Sequence, residues 1–168
     1  MTTLYAQPYD ISASGFYFDN AEEYLKQAKV NRNDYNQPVE EYEIQFIEGE
    51  SIDVALANAW GLSQCSLESF FKVTDNWSEY EKQCFIIAIG ECGYDFDPQT
   101  VNPDDFDVTL YQFRNMTELA EHFVEEGLFG EIPKALEWYI DYESIAYNLS
   151  MEYAEVMIAG KNFIYICP

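Results

Sequence analysis

The chain has 168 residues, 48% of them apolar and 17% aromatic, which suits one domain or a few small lobes sharing a core and argues against an acidic disordered tail. No apolar run approaches the roughly 18 residues of a membrane span, and the start Met-Thr-Thr-Leu-Tyr lacks the basic and apolar regions of a signal peptide. Thirty-one acidic side chains stand against eight basic ones, net −23 with a pI of about 4.1, a surface that repels nucleic acid and anionic membranes.

In chain order, period-2 patterns predict short strands at residues 4–7, 16–19 and 41–47. A helix is expected over 21–30, opened by Asn20 and Glu23 as a capping box. The middle reads as helices over 51–59, 67–73 and 79–89. The last of these begins on Ser78-x-x-Glu81 and has Gly93 just past its end. An alternating strand is expected at 107–113, then a helix over 116–126, a Gly/Pro loop, and helical stretches through Tyr147. A hairpin, 152–158 and 163–167 turning at Gly160-Lys161, closes the chain. The fold class is α+β, in three small lobes: 1–60 (small β-sheet with a helix), 61–106 (helical) and 107–168 (α+β with the closing hairpin). Cys65, Cys84, Cys92 and Cys167 show no CxxC spacing and read as buried thiols in a reducing, cytoplasmic setting. The sequons at Asn76, Asn115 and Asn148 have no role there.

The charge has no single focus. Residues 1–60, 61–107 and 108–168 carry −8, −8 and −7, whereas an acidic tail or one metal cage would concentrate it. A compact chain of this length is about 40 Å across. Spread over that length, 23 net charges fall about 1.7 Å apart, the axial charge spacing of duplex DNA. Around Tyr42, Ile44 and Phe46, the strand alternation turns Glu41 and Glu43 outward together, roughly 6.7 Å apart. In the 116–126 helix, Leu119, Ala120, Phe123 and Val124 form the apolar stripe, with Glu118, Glu121, Glu125 and Glu126 on the other side. Carboxylates one turn apart lie about 6 Å apart along the axis. A solvated helix face would interleave Lys with Glu; pairs such as Glu121/Glu125 cost a few tenths of a kcal/mol instead.

Recognisable catalytic chemistry is sparse. His122 is the sole histidine and reads as a solvated helix residue. The stretch from Gly90 to Asp107 holds six carboxylates and no cation. It fails as an EF-hand, because Pro98 follows Asp97, the glycine is missing and Phe106 takes the twelfth position. Zinc-ligand spacings, a Walker A motif and GxGxxG are absent. Carboxylate pairs for hydrolysis are so numerous in an acidic chain that no pair stands out. The residues therefore point away from an enzyme and toward a stoichiometric DNA mimic that needs no cofactor and no metal. Two alternatives stay open: an acidic inhibitor or adaptor of another basic DNA-binding protein, and a divalent-metal-dependent carboxylate hydrolase.

The run Phe123-Val-Glu-Glu-Gly-Leu-Phe-Gly-Glu-Ile-Pro-Lys-Ala-Leu-Glu-Trp-Tyr-Ile-Asp-Tyr142, with the closing hairpin, resembles the C-terminal part of the ArdA antirestriction proteins. Gly130-Glu131-Ile132-Pro133 and Tyr139-Ile140-Asp141-Tyr142 carry most of the match. Leu4-Tyr5-Ala6 and Gly15-Phe16-Tyr17-Phe18 fit more loosely, and the middle matches by length and acidity. The resemblance implies a mobile-element protein shaped and charged like bent B-form DNA, elongated, three-lobed and dimeric through its C-terminal lobe. Such a protein occupies the DNA-binding groove of type I restriction–modification enzymes and blocks restriction and modification without catalysis. The stretch Gln7-Pro-Tyr-Asp-Ile-Ser-Ala-Ser14 departs from a Gly/Asn-richer loop in better-known members, which bears on the choice of target.

On this reading the mimic surface comprises Asp10, Asp19, Glu22, Glu23, Glu41, Glu43, Asp75, Glu79, Asp95, Asp97, Asp104, Asp105, Glu118, Glu121 and Glu125. Its partners are the type I enzyme and a second copy of the chain, with no nucleic acid and no membrane. Val108, Leu110, Tyr111 and Phe113 offer a dimer contact, or else pack the core of their own lobe.

Overall fold

The computed structural model describes residues 2–167. The chain divides into two compact units, Met1–Phe106 and Asp107–Pro168. The order of elements is β1 (Thr3–Pro8), β2 (Phe16–Phe18), α1 (Ala21–Val30), β3 (Tyr42–Glu48), α2 (Ser51–Trp60), α3 (Leu67–Asn76), α4 (Glu79–Gly90), β4 (Thr109–Tyr111), α5 (Met116–Glu125), α6 (Tyr142–Leu149), β5 (Ala154–Ile158) and β6 (Lys161–Ile166). The α+β class is as expected. No described helix is long and apolar enough to cross a membrane.

In the first unit an antiparallel sheet runs β2-β1-β3. Leu4 and Ala6 of β1 and Tyr42 of β3 are buried, and Phe18 comes in from β2. Their alternates Tyr17, Glu43 and Gln45 face solvent, as the pleat requires. Helix α1 begins where Asn20 caps it, accepting from the Glu23 N–H at 2.9 Å. Glu23 does not close a capping box on Asn20; its carboxylate reaches one residue further back, to the Asp19 N–H at 3.0 Å. At α4 the box is complete: the Ser78 hydroxyl accepts from the Glu81 N–H, and Glu81 accepts from the Ser78 N–H at 2.7 Å.

The boundary expected after residue 60 falls inside this unit. Phe18 of the sheet meets Phe71 of α3 edge-on, ring centroids 6.2 Å apart. Gln64, between α2 and α3, accepts from the Tyr42 N–H at 2.8 Å and donates to the Glu40 carbonyl at 3.1 Å. Burial there pushes the Tyr24 phenol up to about 12. The helical part shares a second aromatic cluster, in which Trp60 packs on Phe70, Phe85 and Phe96.

The second unit holds an antiparallel sheet β4-β6-β5 with α5 and α6. Leu119 and Phe123 of α5 and Ile164 of β6 make its core, joined by Tyr111, Phe113, Met116, Leu149 and Tyr153. Strand β4 is shorter than the expected 107–113. The closing hairpin pairs Ile158 with Lys161, so the turn lies at Ala159-Gly160, one residue earlier than the sequence suggests. Both turn residues have positive φ, 51° and 78°, as in a type I′ turn. A left-handed alanine is strained, whereas asparagine tolerates that region. Ala159→Asn is expected to stabilise the second unit by about 0.5–1 kcal/mol, read as a higher urea midpoint. An unchanged midpoint would remove the turn as a source of strain.

Candidate anionic interface

Of the 31 carboxylate side chains, 25 are exposed, five are half-buried and Asp53 alone is buried. One-to-one pairing with all eight cations would leave 23 carboxylates unmatched. Among the fifteen residues expected to form a mimic surface, Glu22, Glu41, Glu43, Asp75, Glu79, Asp95, Asp97, Asp104, Asp105, Glu121 and Glu125 are exposed, while Asp10, Asp19, Glu23 and Glu118 are half-buried.

Those four half-buried carboxylates hold local structure. Asp10 Oδ1 accepts from the Ser12 N–H and hydroxyl at 2.9 and 2.7 Å, and Oδ2 accepts from Asn33 Nδ2 at 2.8 Å. The Ser12 hydroxyl first, then Asn33 and the Ser12 backbone, hold the Asp10 carboxyl below the usual aspartate range. Asp19 accepts from the Thr3 hydroxyl at 2.7 Å, and Glu23 serves the start of α1. Glu118 accepts from the Arg114 N–H at 2.9 Å and pairs with its guanidinium at 2.6 Å. The Arg114 backbone bond is the main cause of its lowered pKa. Helix α5 thus carries one matched carboxylate, Glu118, while its Glu121 and Glu125 and the following Glu126 project to solvent.

The stretch after α4 displays its charge openly. Gly93, at φ 73°, lets the chain leave the helix, and Phe96 and Phe106 then pack on Phe85 with centroids 4.8 and 5.3 Å away. The rings anchor the loop while Asp95, Asp97, Asp104, Asp105 and Asp107 point outward. Asp97 accepts from the Gln99 N–H at 2.9 Å and Asp105 from the Asn102 N–H at 3.0 Å, which fixes the two side chains in place. Elsewhere Asp19 and Asp75 line one cavity of about 330 Å³ with Glu50, Asp53, Thr74 and Lys82. Glu22 pairs with Lys26 at 3.0 Å on the open face of α1, an exposed pair of little energetic weight.

Of the residues offered for a dimer contact, Val108 is buried and Leu110 half-buried. Tyr111 and Phe113 pack against their own unit's core. His122 is half-buried, its ring tilted against those of Phe113 and Tyr111 with centroids 5.1 and 6.3 Å away, so it is packed on aromatic rings rather than fully solvated. Of the cysteines expected to be buried thiols, Cys84 is one and Cys65 is an exposed thiol, whereas Cys92 and Cys167 are half-buried and disulfide-bonded, not thiols. Large exposed apolar side chains of the second unit instead cluster in sequence at Leu128, Phe129, Leu136, Trp138 and Tyr139.

One buried charged pair, Asp53 and Lys82, lies outside the residues that stand out in the sequence. Lys82 Nζ in α4 donates to Asp53 Oδ1 at 2.7 Å and to the Thr74 carbonyl at 2.8 Å. Asp53 sits in the first turn of α2 and Thr74 in the last turns of α3, so each charge complements a helix end. The available signal was Asp53 as the one charge in the apolar run Ser51-Ile-Asp-Val-Ala-Leu-Ala57. Among the described residues no three His, Cys, Asp or Glu side chains converge on a point that could hold a metal ion. No protein-family model matches the chain, and no curated protein matches it.

Proposed function

We propose that the protein is a DNA mimic that occupies the DNA-binding groove of type I restriction–modification enzymes and blocks restriction and modification stoichiometrically, in the cytoplasm. The observation that carries this reading is the outward display of 25 of 31 carboxylates on both units. A groove lined with Lys and Arg for phosphates meets carboxylates instead, and the contact releases bound ions as phosphate contact does. Phosphate contacts position a protein without specifying sequence, so one inhibitor serves enzymes that recognise different sites. Two copies joined through residues 107–168 would cover both halves of a bipartite site. The exposed Leu128, Phe129, Leu136, Trp138 and Tyr139 supply apolar surface for that contact.

Competition tests the reading. A purified type I methyltransferase bound to a labelled duplex is expected to release it as this protein approaches equimolar amounts, whatever the recognition sequence. Retention of the duplex at low salt and excess protein would sink the reading. Displacement from unrelated basic DNA-binding proteins alone would point to a different target.

A further inference from the structure

We propose that the loops 9–14 and 31–38 form a rigid contact tip that adds a salt-insensitive, apolar component to the binding of the same basic partner, an inference that rests on the function proposed above. Tyr9, Ile11 and Tyr35 are 66%, 102% and 78% exposed. Single exposed apolar residues are ordinary, but these three stand on loops tied to each other. Asp10 binds Asn33 across the loops at 2.8 Å, and the Asp34 N–H donates to the Ser12 carbonyl at 2.9 Å. Asn33 Oδ1 accepts from the Tyr35 and Gln37 N–H groups at 3.0 and 2.9 Å, and Asn31 donates to the Ser14 carbonyl at 3.0 Å. A partner would therefore find the two tyrosines and the isoleucine on ordered backbone, with little ordering cost left to meet. Aromatic side chains on such a frame are typical of residues that dominate binding energy.

Charge selects the occupant. Asp34, Glu40 and Glu41 are exposed on or beside the same loops, while the Arg32 guanidinium is turned onto the Lys29 and Asn31 carbonyls at 3.1 and 2.7 Å. Residues 1–60 carry a net −8, so a second copy presenting this tip would meet like charge. A cationic protein surface is the complementary occupant.

The test is direct binding of the full chain to a purified type I methyltransferase, without DNA, across a series of salt concentrations. Y9S/I11S/Y35S is expected to bind about tenfold more weakly at every salt concentration, with an unchanged salt slope. I11N alone is expected to show a smaller loss in the same direction, and matched denaturation midpoints would establish that both variants fold. Unchanged affinity, or a loss that disappears at high salt, overturns the proposal while leaving the proposed function standing. A change in sedimentation of the variant alone would show that a second copy covers the tip, which also overturns it. Failure of the wild-type chain to bind at low salt removes the proposed function and this inference together.

Discussion

Lys82→Met is expected to lower the stability of the first unit by about 3–5 kcal/mol, the usual cost of leaving a buried charge without its partner. Lys82 and Asp53 are 6% and 5% exposed, and water entering the polar cavity that they line would offset only part of the loss of the ammonium. The substitution also orphans the Thr74 carbonyl, which Lys82 serves at 2.8 Å. Because Asp53 belongs to α2, Thr74 to α3 and Lys82 to α4, one side chain bridges three helices. Asp53→Leu alone is expected to cost a similar amount, since it leaves the ammonium uncompensated. The double variant Asp53→Leu/Lys82→Met should recover most of the loss, because apolar replacement of a buried pair is often neutral or favourable. Urea denaturation of the four chains closes the cycle. A Lys82→Met cost within about 1 kcal/mol, the range of an exposed pair, would mean that the pair is solvated.

Neutralising Asp95, Asp97, Asp104 and Asp105 to Asn is expected to weaken direct binding to a type I methyltransferase by at least about tenfold at low salt. The slope of log K against log salt should flatten by up to about 0.9 for each carboxylate that had been engaged. Asparagine is the informative replacement. It keeps an acceptor oxygen for the Gln99 and Asn102 N–H groups bound by Asp97 and Asp105, so the loop keeps its local bonds while losing charge. The four exposed sites lie in a chain of net −23, and relieving self-repulsion should leave the denaturation midpoint equal or higher. A loss of binding with fold retained would place this loop in the contact surface. Binding and slope that match the wild type would exclude it.

Local order was legible wherever it is written in neighbouring residues. Helix α1 spans Ala21–Val30 as expected, because Asn20 caps it and its apolar spacing is helical. Helix α4 is capped by Ser78 because Glu81 is three residues away, within reach of the same turn. The outward direction of Glu43 follows from the two-residue pleat of β3. Longer-range packing is not written that way. The alternation at Tyr111 and Phe113 suits either a dimer contact or the core of their own lobe, and α5 arrives to pack them into that core. Gln64 and Phe71 reach back to the sheet and merge two expected lobes into one unit.

By itself the sequence determined the α+β class, the ends of most helices, and a net charge of −23 carried almost evenly along the chain. Caps, periodicity and charge each depend on residue type and on separations of a few positions. Only the tertiary structure decided how each carboxylate is used. Asp10 ties two loops through a residue 23 positions away, Asp53 is buried against a lysine 29 positions away, and Asp95, Asp104 and Glu121 face solvent. All carry the same formal charge, and the chain path, by choosing which of them meets a donor, determines how many face solvent.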